Sequence, residues 1–192
     1  VGERSRYQIT ADLAAAAWTQ RTRIAMAASP SNPTGTMVAP DEIARLATLA
    51  RERGGTLLVD EIYHGLTYGF DARSALESGD DVFVINSFSK YFQMTGWRLG
   101  WLVAPAAYVR EVEKLAQNLY ISASTLAQHA ALAAFSPESI AILEARRGEL
   151  AARRDFLLPA LEALGFRIPV KPEGAFYIYA DCSRLAPDSF VF

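Results

Sequence analysis

The sequence predicts an α/β fold: a doubly wound, mostly parallel sheet with one antiparallel strand, followed by the start of a smaller α+β domain. Three observations carry this. Apolar runs at 23–28, 56–59 and 82–85 are separated by connections long enough for parallel crossovers, the first of them an amphipathic helix. Each run ends in polar residues and turn formers. The link from Ile85 to the next apolar run, 99–103, is too short for a helical crossover, which makes that strand an antiparallel neighbour.

Taken in order, residues 12–17 form a short alanine-rich helix and 23–28 the first strand. Ser29-Pro30-Ser31-Asn32-Pro33-Thr34-Gly35 follows, a turn with two prolines and a glycine, in which we expect a cis bond between Asn32 and Pro33. Pro40, Asp41 and Glu42 open the next helix as its positive end prefers. Its buried stripe is Ile43, Leu46, Ala47, Leu49 and Ala50, and Gly54 ends it. The continuous run 56–59 reads as a strand covered on both faces. It delivers Asp60-Glu61-Ile62-Tyr63-His64, and the run 82–85 delivers Ser87, Ser89 and Lys90.

Helices are predicted near 106–119 and 124–135, the second packed inside. Ser136-Pro137-Glu138 caps a long amphipathic segment that Pro159 should kink or restart and Gly165 closes. Residues 166–168 and 175–180 read as strands of the second domain. The expected division is 1–135 for a partial large domain and 136–192 for a partial small one.

Composition excludes several classes. A net charge of −2 offers no basic footprint for nucleic acid. One cysteine and two histidines build neither a disulfide framework nor a Cys/His metal cluster, so no metal is expected. No apolar stretch approaches the ~20 residues of a membrane span. We expect a soluble, cytoplasmic protein with no nucleic-acid or membrane partner. The start at Val1 has no signal-peptide layout and the end at Phe192 stops on an apolar run, so both ends read as cut.

In doubly wound sheets ligands bind outside the carboxyl ends of the strands. Topology therefore gathers Asn32, Asp60, Tyr63, Ser87, Ser89, Lys90 and Arg98 at one edge. Singly, each has a plainer job: a turn asparagine, a capping aspartate, a half-buried phenol, solvated serines, a loop lysine. Together they offer more. Arg98 is a planar fork for a phosphate, with hydroxyls at Ser87 and Ser89 beside it. Lys90, between apolar strands, can lose its proton and attack a carbonyl. Asp60 can pair with a protonated ring nitrogen. The combination suits pyridoxal phosphate.

With these residues in place, the chain resembles fold-type I pyridoxal-phosphate enzymes, specifically the class I and II aminotransferases. Ser31-Asn32-Pro33-Thr34-Gly35, Asp60-Glu61-Ile62-Tyr63, Ser87-Phe88-Ser89-Lys90, Thr95-Gly96-Trp97-Arg98-Leu99-Gly100 and Pro172-Glu173-Gly174-Ala175-Phe176-Tyr177 follow in family order. The resemblance implies ping-pong transamination between an amino acid and a 2-oxo acid through a Lys90 aldimine, with Lys90, Asp60 and Tyr63 as the catalytic set. It implies that Lys90 also shuttles the proton and that Asp60 faces the pyridine nitrogen. Asn32 and Tyr63 would bind the phenolic oxygen, and Ser87, Ser89 and Arg98 the phosphate. His64 and His129 read as structural; Trp97, Trp101, Phe176 and Tyr177 read as core, the last two also near the substrate by family analogy.

Family members are longer at both ends, and the resemblance implies a homodimer when full length. An upstream phosphate loop, a ring-stacking aromatic residue and a downstream arginine for the substrate carboxylate have no counterpart here. We therefore expect a fragment that does not turn over alone. Two alternatives remain: a carbon–sulfur β-lyase on the same fold, and the aminotransferase-like sensory domain of a transcription regulator. No Gly-x-Gly-x-x-Gly or Walker-type loop supports a nucleotide-binding domain.

Overall fold

The computed structural model describes residues 1–192. Its sheet has the order β1 (Ile24–Ala28), β2 (Thr56–Asp60), β3 (Phe83–Ser87), β4 (Gly100–Val103), the first three parallel and the last antiparallel. The register aligns Ala28 with Asp60, Asp60 with Ile85, and Ser87 with Gly100. The antiparallel strand thus starts beside the end of β3, as its short connection requires.

Helix α1 (Ala11–Ala17) is capped by Thr10, whose hydroxyl accepts from the Leu13 N–H at 3.2 Å. Helix α2 (Pro40–Glu52) has proline at its start and Gly54 in the left-handed region just past its end. Its stripe of Ile43, Leu46 and Ala47 packs with Leu57, Val59, Val82 and Val84 into one core, joined by Ala11 and Ala14 of α1. Leu46 and Leu57 are fully enclosed, worth about 1.5–3 kcal/mol each.

The opposite face of the sheet is different. Residues alternate along a strand, and here Ile24, Met26 and Ile85 stand exposed, Met26 at 67%. Leu57 and Val59 are buried on the α2 side, while Leu58 on the opposite side is only half-buried, so the expectation that 56–59 is covered on both faces holds for one face. Helix α3 (Ala106–Leu119) reaches that side at its start, where Tyr108 tilts against Phe83 with ring centroids 5.4 Å apart.

Helix α4 (Thr125–Ala133) is capped by Ser124. It buries Ala127 and Ala131 while Leu126 and Leu132 face outward, so only its alanine face is packed inside. Helix α5 (Pro137–Ala163) starts at the Ser136 cap and runs unbroken through Pro159. The expected restart does not occur: a proline forfeits one backbone bond and costs about 3 kcal/mol, and hydrogen-bonded turns on either side carry the helix across. No helix is long and apolar enough to cross a membrane.

Residues 166–168 and 175–180 are not strands. Arg167 bridges Asp181, and Gly174 bridges Thr67, each as a single pair. Strands exist by pairing, and these segments find no continuous ladder partner within the chain.

Candidate functional site

Each parallel strand ends where its sequence leaves the apolar pattern, and the residues gathered there come from the turns that follow. Asn32 lies in the turn after β1, between two cis bonds at Ser29–Pro30 and Asn32–Pro33, the second of which was expected. The turn is tied back on itself by Gly35 N–H to Ser31 O at 2.8 Å and Ser31 N–H to Thr36 O at 3.0 Å.

Asp60 ends β2. One carboxylate oxygen accepts from the Ile62 N–H at 2.9 Å, which fixes the side chain and leaves its other oxygen with no partner in the chain. Glu61 is buried beside it, accepting from the Ala75 N–H at 2.6 Å and from the Ser74 hydroxyl. His64 Nδ1 lies 3.4 Å from Glu61, and burial pushes its pKa down against the opposing pull of that carboxylate, consistent with a structural histidine.

After β3, the Ser87 hydroxyl donates to Ser89 Oγ at 2.9 Å and accepts from the Ser89 N–H at 3.0 Å. Thr95 donates to the Ser89 carbonyl at 2.6 Å, and Arg98 donates one N–H to the Thr95 carbonyl at 2.9 Å. A chain of short bonds thus ties the two serines to the arginine across the 3₁₀ turn Thr95–Trp97. Arg98 has φ +53, in the left-handed region.

Lys90 sits between these groups. Its ammonium lies 5.6 Å from the ring centroid of Tyr63 and 5.7 Å from that of Phe176, and no carboxylate pairs with it. Such positions attract a cation through the ring faces. Lys90 lines a cleft of about 270 Å³ with Leu66, Ser89, Gln93, Thr95 and Phe176. A larger concavity, about 950 Å³, is elsewhere, between the start of the chain and α5. There Arg6 pairs with Glu173 at 2.6 Å and Arg154 donates to the Pro172 carbonyl at 3.0 Å, so its cations are already engaged.

Tyr63 is 3% exposed and packs with Leu66 and Ala175. Its hydroxyl is 2.6 Å from that of Tyr177, a residue the sequence places in the core and, by family analogy, near the substrate. Burial, then that hydrogen bond, then the nearby Tyr177 and Asp60 charges raise the Tyr63 pKa, with Asn32 opposing them. Nothing local could have shown this contact, since 114 residues separate the two. The described geometry brings Asn32, Asp60, Tyr63, Ser87, Ser89, Lys90 and Arg98 to the carboxyl edge of the sheet, as topology required.

This arrangement can hold a planar anionic ligand with a carbonyl near Lys90. Comparison with known proteins agrees on the family. The profile for aminotransferase class I and II matches residues 3–191. A valine–pyruvate aminotransferase of Mycobacterium tuberculosis is 40% identical over 193 residues, spanning 100% of this chain and 50% of the relative. An aspartate/prephenate aminotransferase of Thermus thermophilus is 37% identical over 173 residues, 88% of this chain and 45% of the relative.

Among solved structures, an aminotransferase from Mycobacterium tuberculosis superposes with a TM-score of 0.95 at 39% identity, covering 100% of this chain and 50% of its own. The aspartate aminotransferase of Thermus thermophilus with maleate gives 0.93 at 33%, again covering 100% and 50%. The chain spans about half the length of the relatives it matches. By the extent of the profile match and the identity over its whole length, the chain belongs to the class I and II aminotransferases.

Proposed function

We propose that the protein carrying this chain is a pyridoxal-phosphate-dependent aminotransferase that moves an amino group between an amino acid and a 2-oxo acid by alternate half-reactions. The observation that supports it most is Lys90: an amine with no acidic partner, between two aromatic faces, flanked by hydroxyls and a guanidinium at the carboxyl edge of the sheet. In this reading residues 1–135 belong to the cofactor-binding domain and 136–192 begin the smaller one. The working protein is a cytoplasmic homodimer.

The donor set fits the cofactor. Ser87, Ser89 and Arg98 supply hydroxyl and guanidinium donors for a phosphate. The unpartnered oxygen of Asp60 suits a protonated ring nitrogen, and Asn32 with Tyr63 suits a phenolic oxygen. When bound, pyridoxal phosphate supplies an electron sink for the pair released as the substrate Cα proton leaves.

The chain's own residues do the rest. With the group bound, Lys90 would hold it through its amine and, once freed by the substrate amine, would be the base that moves the proton between the substrate Cα and C4′. Asp60 would pair with the ring nitrogen and favour its protonated form. Tyr63, kept neutral by its burial, donates rather than accepts toward an anionic oxygen.

Borohydride reduction of the loaded protein followed by peptide mapping is expected to find a pyridoxyl group on Lys90 alone, and Lys90→Ala is expected to abolish amino-group transfer. Substantial turnover in Lys90→Ala, or an adduct on other lysines, overturns the assignment. Release of pyruvate, ammonia and a thiol from a sulfur-bearing amino acid, in place of the oxo acid that keeps the substrate's whole side chain, would point to β-elimination.

A further inference from the structure

We propose that Tyr177 is a positioning residue for this reaction, its hydroxyl donating to Tyr63 so that the Tyr63 proton is directed at the cofactor's phenolic oxygen. The inference rests on the reading above of Lys90 and Tyr63 as cofactor contacts and adds a residue to it.

The two hydroxyls are 2.6 Å apart, with ring centroids 5.7 Å apart and planes at 76°. A phenol carries one proton. In the pair by itself either oxygen can be the donor. If Tyr63 donates to Tyr177, it turns a lone pair toward any anionic oxygen beside it, which is repulsive. If Tyr177 donates to Tyr63, the Tyr63 proton is free to point at that oxygen. An anionic acceptor therefore selects the order Tyr177, Tyr63, acceptor. Each bond in such a chain polarises the next.

The second tyrosine is held too firmly for its position to be incidental. Ala175 N–H donates to Leu66 O at 2.8 Å, and the Tyr68 hydroxyl donates to Ala175 O at 2.7 Å. Gly174 fits where a Cβ would meet Pro30 Cγ at 2.5 Å and Leu66 O at 3.0 Å. Ala175 is fully buried. The arm carrying Tyr177 is thus fixed to the segment that follows Tyr63 and to the Pro30 turn that carries Asn32. Burial and the Tyr177 contact both raise the Tyr63 pKa, so it remains a proton donor across neutral pH.

The test is a pH titration of the visible absorption of the pyridoxal-phosphate-loaded protein, wild type against Tyr177→Phe, Tyr63→Phe and the double variant. Each substitution removes one oxygen and keeps the ring. Donors to the phenolic oxygen stabilise the form that has lost its proton more than the form that keeps it, so losing one raises the midpoint. Tyr177→Phe should raise it by about 0.3 pH, a twofold change in the dissociation constant, because the relay strengthens a charge-assisted bond by roughly 10–30%. Tyr63→Phe should raise it further, and adding Tyr177→Phe to it should do nothing more. An unmoved midpoint in Tyr177→Phe, or an equal shift with and without Tyr63, overturns the proposal. If the wild type shows no absorption traceable to Lys90, the aminotransferase reading itself fails, and the relay fails with it.

Discussion

Gly35→Ala tests how the Pro30 turn and the 172–175 segment are locked together, and Gly54→Ala is its control. Both glycines sit in the left-handed region, at φ +66 and +69. Alanine in that region costs about 1 kcal/mol at either position. Around Gly54 an added Cβ meets nothing within 4 Å, so that is the whole cost. At Gly35 it would lie 2.5 Å from Pro172 Cβ and 2.8 Å from Gly174 O, against an optimal carbon–carbon separation of about 3.5–4.0 Å.

Neither neighbour can swing away, since one is a proline ring and the other backbone. Relieving an overlap of this kind costs about 1–3 kcal/mol. The Gly35 carbonyl also accepts from the Glu173 and Gly174 N–H groups at 2.8 and 2.9 Å, and a displaced segment weakens both bonds. The expected loss is about 3–5 kcal/mol for Gly35→Ala against about 1 kcal/mol for Gly54→Ala. Urea denaturation of the two variants at matched slope measures the difference. Equal losses within about 0.5 kcal/mol would refute the interlock.

Two further outcomes follow from the ion pairs and buried carboxylates. Arg51 donates to Asp81 at 2.6 and 2.9 Å and, by those hydrogen bonds first and its charge second, lowers the Asp81 pKa from its ordinary 3.8. A depressed carboxylate adds stability above its unfolded pKa and loses it as pH falls through the folded one. Both side chains are about half exposed, so Asp81→Asn should cost under about 1 kcal/mol at neutral pH, a deficit that shrinks below about pH 4. A deficit that stays constant on acidification would contradict this. Glu61→Ala strands the buried Ala75 N–H and should cost about 1–3 kcal/mol, while Glu61→Gln keeps an acceptor oxygen and should cost less. Equal thermal destabilisation by the two would show that the acceptor is not what matters.

Most elements of the large domain, and the residues at its strand ends, are legible along the chain. The helix starts at Pro40 and Ser136, and the buried stripe of α2, are written in nearest neighbours and in a 3.6-residue period. Strand direction follows from connection length, which puts Asp60, Ser87, Lys90 and Arg98 at one edge. Those signals are local, so a linear reading can find them.

What depends on how distant segments meet is not legible there. The run 56–59 reads as a doubly covered strand, yet Leu58 is only half-buried beside the open Met26, because coverage belongs to whatever packs on the face and not to the strand. Residues 166–168 have strand-like composition but one bridge, at Arg167, and 175–180 have none, because a strand needs a partner in register. The Tyr63–Tyr177 bond, 114 residues apart in sequence, exists because Gly35 and Gly174 let two turns approach to within a few ångströms. Packing angle and close approach set that distance, and no pattern along the chain encodes them.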